Sequence, residues 1–210
     1  MKKPEMINLS VDDAFNIFDD LIEGIEERHS TPHVTFFGSS RLREDNKYMA
    51  SAKALAKALS DSKVNVMTGG GPGIMEAANR GAYEGEGVSL AASISLPNEQ
   101  EENPYIHSSS THRFFMTRKW MMIENSKAFI AMPGGIGTAD EVFEVLTLMQ
   151  TKMIPQVPVI LFGEGFWKPA IEWMKVSMIP LGLINDEDLE LVFITDSEEE
   201  ALSKIGLFSK

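Results

Sequence analysis

Val64-Asn65-Val66-Met67-Thr68-Gly69-Gly70-Gly71-Pro72-Gly73-Ile74-Met75-Glu76-Ala77-Ala78 changes character twice. Residues 64–68 are apolar and β-prone, residues 69–73 are four glycines and a proline, and residues 74–83 carry a helical pattern. The order is strand, glycine loop, helix. The same unit stands upstream, where His33-Val34-Thr35-Phe36-Phe37 runs into Gly38-Ser39-Ser40 and residues 48–59 read as an alanine-rich helix. It stands again downstream, where residues 128–132 form a strand, Pro133-Gly134-Gly135-Ile136-Gly137 a loop, and residues 139–151 a helix.

Between and beyond these units, residues 88–95 read as a strand, 114–125 as a Met-rich helix, 157–162 as a strand, 167–176 as a helix and 189–195 as a last strand. Residues 97–110 are polar and without period, and read as one long loop, either a lid near a ligand or a surface excursion. Strands alternating with helices predict an α/β fold, a Rossmann-like doubly wound parallel sheet with helices on both faces. In residues 11–28, Val11, Phe15, Phe18, Leu21, Ile22 and Ile25 recur at helical spacing and predict an amphipathic helix packed on the rest.

A chain of 210 residues, 43% hydrophobic, can bury one sizeable core, so residues 1–210 are expected to form one domain, with residues 1–30 as an N-terminal cover. The net charge of −12 disfavours nucleic acid and anionic membrane held through a general basic field. Any anion must be gripped locally. The absence of cysteine excludes disulfides and thiolate chemistry. Without a signal-like segment or a long apolar run, a cytoplasmic location is expected. Histidines at 29, 33, 107 and 112 show no metal-ligand spacing, so neither a metal nor another cofactor is expected.

In a doubly wound sheet, ligands bind beyond the carboxyl ends of the strands where strand order reverses. With order 3-2-1-4-5, Gly38, Ser39 and Ser40 face Gly134, Gly135, Gly137 and Thr138 across one crevice, and Gly70, Gly71 and Gly73 open beside them. Glycines bring backbone N–H groups close to an anion, and a following helix N-terminus adds partial positive charge. Such loops also serve as plain tight turns. Glutamate at 76 breaks the dinucleotide fingerprint and no loop ends in Gly-Lys-Ser/Thr, so neither NAD nor ATP is indicated.

Thr68-Gly69-Gly70-Gly71-Pro72-Gly73-Ile74-Met75-Glu76-Ala77-Ala78, Arg118-Lys119, and Pro133-Gly134-Gly135-Ile136-Gly137-Thr138-Ala139-Asp140-Glu141 together resemble the Lonely Guy family, long labelled lysine decarboxylase-like. The resemblance covers about residues 33–163. It implies a phosphoribohydrolase acting on AMP or on N6-modified AMP such as a cytokinin riboside monophosphate, with Arg118 and Glu141 as the catalytic pair. It also implies phosphate loops at Gly71, Gly73, Gly135, Gly137 and Thr138. The decarboxylase label has no chemical support, since no histidine precedes a lysine. Met75 and Glu76 open a helix at the crevice and are candidates to touch base or ribose. Lys119 is a further binding candidate, although it lies about 100° around the helix from Arg118.

Each candidate has a bland reading. Thr138 and Glu141 fit a Thr-x-x-Glu capping box, and Arg118 could be a surface arginine paired to Glu124 or Glu141. Arg41 and Arg43 could reach a phosphate or simply be solvated. The rival functions are a non-catalytic nucleotide or molybdenum-cofactor carrier and a nucleotide-sensing interaction module. A homodimer or higher homo-oligomer built on the apolar helix around Phe114, Phe115, Trp120, Met121 and Met122 is expected.

Overall fold

The computed structural model describes residues 10–27, 31–95 and 102–206. In chain order the elements are α1 (Val11–Glu27), β1 (His33–Phe37), α2 (Lys47–Asp61), β2 (Asn65–Thr68), α3 (Ile74–Tyr83), β3 (Ser89–Ile94), β4 (Ser108–His112) and α4 (Phe115–Ile123). They continue with β5 (Ser126–Ala131), α5 (Ile136–Gln150), β6 (Val159–Phe162), α6 (Glu164–Ser177), α7 (Asp186–Leu189), β7 (Val192–Thr195) and α8 (Glu198–Ile205). The strands form one parallel sheet in the order β4-β3-β2-β1-β5-β6-β7. The order reverses between β1 and β5, as expected for a doubly wound sheet.

Both faces of the sheet are buried because side chains alternate along the strands. Phe36 of β1 and Ile130 of β5 join Leu55, Leu59, Ile74 and Ala78 of α2 and α3 on one side. Their neighbours Phe37 and Phe129 face the other side and stack at 5.7 Å, among Met122, Val145, Met149 and Trp167 of α4, α5 and α6. This double burial explains why the inner strands read as continuous apolar runs.

Two expectations are corrected. The expected long loop at 97–110 contains the start of a strand: residues 108–110 begin β4, paired in register with β3 from Leu90↔Ser108 to Ile94↔His112. Ser108-Ser109-Ser110-Thr111-His112 has no apolar alternation to betray it, because this edge strand buries Ser110 and His112. Residues 97–101 lie outside the described residues.

The second correction concerns α1, whose apolar stripe packs inward only in part: Leu21 lies against the core, while Val11 is 74% exposed, Phe15 63% and Phe18 59%. The docked side sets Asp20 and Gly24 beside Leu21. Asp20, only 1% exposed, accepts the Arg113 N–H at 2.9 Å and the Thr117 hydroxyl. Gly24 lies so close to His112 that an added Cβ would fall 2.7 Å from its Cε1. No helix among the described residues is long and apolar enough to cross a membrane.

Candidate functional site

The loops after β1, β2 and β5 are tied together by their backbones. Ser39 N–H donates to the Pro133 carbonyl at 3.2 Å, and Ile74 N–H, the first of α3, donates to the Ser39 carbonyl at 2.9 Å. Gly73 has φ +70°, and a Cβ there would stand 2.4 Å from the Ser39 carbonyl oxygen. Its glycine serves this close approach between loops. A network behind the second loop fixes it further. The buried Asn103 amide donates to the carbonyls of Gly70 at 3.0 Å and Gly71 at 3.1 Å, and to Asn79 Oδ1 at 3.0 Å, while Asn79 accepts the Thr68 hydroxyl at 2.6 Å.

Together the loops frame a cleft of about 520 Å³. Gly38, Ser39, Ser40, Gly70, Gly71, Met75, Gly135, Gly137, Thr138, Arg118 and Glu141 line it, so most of the sequence-derived candidates converge. Gly73 and Gly134 stand behind the wall, Gly134 against the Thr138 side chain. Glu76 faces a different groove, beside Arg80 and Lys53. Lys119 is tied to Glu144 at 2.7 Å and Asp140 at 3.0 Å and does not line the cleft. Those two carboxylates outweigh its partial burial and raise its pKa. Of the two loop arginines, Arg41 lines the cleft and Arg43 does not.

Glu141 is not a capping residue. The N-cap of α5 is Gly135, without a side-chain cap bond, so both Thr138 and Glu141 lie inside the helix. The first turn of α5 therefore presents its backbone N–H groups at the cleft with no side chain closing them, the arrangement that attracts anions.

Arg118 is buried, and its Nε donates to the Ala92 carbonyl at 2.9 Å, so it is not a surface arginine. Gly69 makes room for it: a Cβ there would lie 1.9 Å from Arg118 Nη2. The same Nη2 stands 3.9 Å from Glu141 Oε1. Burial lowers the arginine's pKa, partly opposed by Glu141. Burial also pushes the Glu141 carboxyl from the ordinary 4.5 to about 7, against the pull of Arg118. A carboxyl poised there can carry either protonation state near neutrality.

Sequence reasoning missed Ser93, Ile94, Glu102 and Ile136, which line the cleft with Gly69 and with Phe115, a residue expected at a subunit interface. The rule that ligands gather at strand carboxyl ends could have found Ser93 and Ile94 at the end of β3. Glu102 carries no such signal.

Comparisons with known proteins bear on family and fold. Residues 75–205 match the family described as "Possible lysine decarboxylase". A cytokinin riboside 5'-monophosphate phosphoribohydrolase of Rhodococcoides fascians is 26% identical over 184 residues, covering 86% of this chain and 92% of that protein. The one named LOG from Oryza sativa subsp. japonica is 24% identical over 173 residues, covering 81% of this chain and 70% of that protein. Among solved structures, the molybdenum cofactor carrier protein of Chlamydomonas reinhardtii shares the fold with a TM-score of 0.61 at 20% identity, over 84% of this chain and 98% of that one. The molybdenum cofactor binding protein of Rippkaea orientalis does so at 0.62 and 21%, over 86% and 98%.

Proposed function

We propose that this chain, which belongs to the Lonely Guy family whose older description is possible lysine decarboxylase, hydrolyses the N-glycosidic bond of a purine nucleoside 5'-monophosphate. The products are the free base and ribose 5-phosphate. The observation that carries the reading is the buried Arg118–Glu141 pair on the wall of a cleft framed by three glycine-bearing loops.

In the reaction the C1'–N bond breaks, positive charge builds on the ribose ring, and water adds its oxygen to C1'. A carboxylate beside C1' stabilises that charge and can take the water's proton, which is the role assigned to Glu141. Arg118, with its fixed donors, orients substrate and Glu141; its high pKa makes it a poor proton donor to the leaving base, which draws its proton from solvent. Gly135, Gly137 and Thr138 at the α5 N-terminus, with Ser39, Ser40 and Arg41 opposite, are assigned to the 5'-phosphate.

The likeness to the molybdenum cofactor carriers is one of fold, and a carrier would not need the Arg118–Glu141 pair. Incubation with AMP and GMP, followed by chromatography for free base and ribose 5-phosphate, tests the reading. Release of both products supports it; tight binding of an intact ligand with no release transfers the site to the carrier reading.

A further inference from the structure

At the end of the cleft away from α5, Glu102 holds its carboxylate between two serines. Ser93 Oγ donates to Oε1 at 2.5 Å and Ser109 Oγ to Oε2 at 3.1 Å. Each oxygen has then accepted one hydroxyl and keeps further acceptor capacity. Ser93 stands near the carboxyl end of β3 and Ser109 near the start of the neighbouring β4, so the carboxylate is set by the sheet. Apolar side chains of Met75, Ile94 and Phe115 line the cleft with it.

From the α5 loop at the end of β5 to Ser93 at the end of β3 the sheet runs across β1 and β2, three strand spacings or about 14 Å. Resting on the nucleotide reading above, phosphate at α5 and ribose at Arg118–Glu141 leave the base at the Met75, Ile94, Phe115 and Glu102 end.

We infer that Glu102 reads the base, selecting a purine that presents two adjacent donors, the N1–H and 2-amino edge of guanine. A carboxylate is acceptor-only and meets both donors at once. Adenine offers one donor, its 6-amino group, beside the unprotonated N1, whose lone pair would face a carboxylate oxygen. A site built to accept two hydrogen bonds discriminates strongly against a ligand that cannot donate them.

The test is equilibrium binding by titration calorimetry to protein carrying Glu141→Gln, which lowers turnover, with base release by the wild type scored separately. GMP is expected to bind at least about 10-fold more tightly than AMP, the worth of one charge-assisted bond. Inosine 5'-monophosphate keeps N1–H but lacks the 2-amino group, and is expected to bind several-fold more weakly than GMP. Adding Glu102→Gln presents one donor and one acceptor, the complement of adenine, and should abolish or reverse the preference. Equal binding of AMP and GMP, equal binding of inosine monophosphate and GMP, or a preference that survives Glu102→Gln each overturns the assignment. The wild-type nucleotide comparison stands even if that variant fails to fold. Selective binding without base release by the wild type would count against the hydrolase reading and leave the Glu102 assignment standing.

Discussion

Arg118 Nη2 lies 3.9 Å from Glu141 Oε1, and the guanidinium is held in place from behind by the Ala92 carbonyl at 2.9 Å. A cation so fixed, in space opened by Gly69, sets where the glutamate's charge can be used. It also ties the chemistry of α5 to α4.

Glu141→Gln preserves shape and removes the charge. If the carboxylate stabilises the ribosyl cation, the variant should stay folded while base release falls by about 10² to 10³, the usual loss for one transition-state electrostatic group. Circular dichroism and steady-state kinetics on the same preparation check this. Near-normal turnover would remove Glu141 from the chemistry.

Phosphate discrimination measures the glycine loops. Two charge-assisted hydrogen bonds at roughly 1.5 to 3 kcal/mol each predict that a nucleoside monophosphate is cleaved at least about 100-fold more efficiently than its nucleoside. Comparable kcat/KM for GMP and guanosine, and for AMP and adenosine, would refute the assignment of Gly135, Gly137 and Thr138.

Asp20 is the polar anchor of α1. Burial alone would raise its carboxyl, but the Thr117 hydroxyl, the Arg113 N–H, His112 and the Phe114 N–H together hold it below the ordinary value. Asp20→Ala strands the Arg113 N–H and leaves the Thr117 hydroxyl with only the Phe114 carbonyl at 2.8 Å, and should cost about 1 to 3 kcal/mol. Hydrogen exchange should show the α1 amides losing protection while those of β1 and β5 keep theirs. Unchanged protection in α1 would show that something else docks the helix.

Much of this architecture was legible because the strand–glycine loop–helix unit repeats, and each repeat announces its own boundary. Residues 64–83 read correctly almost to the residue. What failed had physical causes. β4 hid because Ser110 and His112 fill buried positions with polar atoms, so no period marked it. Gly137 reads as loop and sets the expected start of α5 at 139, yet the helix begins at Ile136. A cleft-facing first turn has nothing for a side chain there to pack on: a Cβ at Gly137 would meet nothing within 4 Å. Arg118 and Glu141 came from motif resemblance; spacing alone also allowed the cap and the surface arginine. Lys119 and Glu76 followed the motif into the candidate set but point elsewhere, since neighbours along a helix face different directions.

The outward apolar stripe of α1 bears on assembly. Beside it on α4, Phe115 is 55% exposed, Met116 62% and Trp120 50%, and α1 and α4 are in contact. Apolar surface of this extent is what subunit interfaces bury. Light scattering is expected to give at least about 47 kDa, twice the chain mass of 23.3 kDa. Paired Phe15→Glu and Trp120→Glu changes should shift the mass downward; a wild-type monomer at micromolar concentration would sink the expectation.

The pH dependence follows from Glu141 and has a definite sign. Its carboxyl titrates at about 7 in the folded protein against an ordinary 4.5. Between those values the folded state binds the proton more tightly than the unfolded chain. Stability from this group is therefore greatest at low pH, falls as pH rises through 4.5 to 7, and is level above. The span corresponds to roughly 3 kcal/mol. Asp20, held low, contributes in the opposite sense, its stabilisation being lost as pH falls below the carboxylate range. The difference in unfolding free energy between wild type and Glu141→Gln isolates the first effect, and should slope downward from pH 4.5 to 7 and then flatten. The kinetic consequence runs the other way, because the carboxylate is the active form. In the wild type, kcat/KM should rise about tenfold per pH unit below 7 and level off above it, since that ratio reports groups of the free enzyme. In Glu141→Gln the residual activity should lose this limb. A wild-type profile already level at pH 5.5 would overturn a Glu141 carboxyl raised to about 7 as the group that limits the rate.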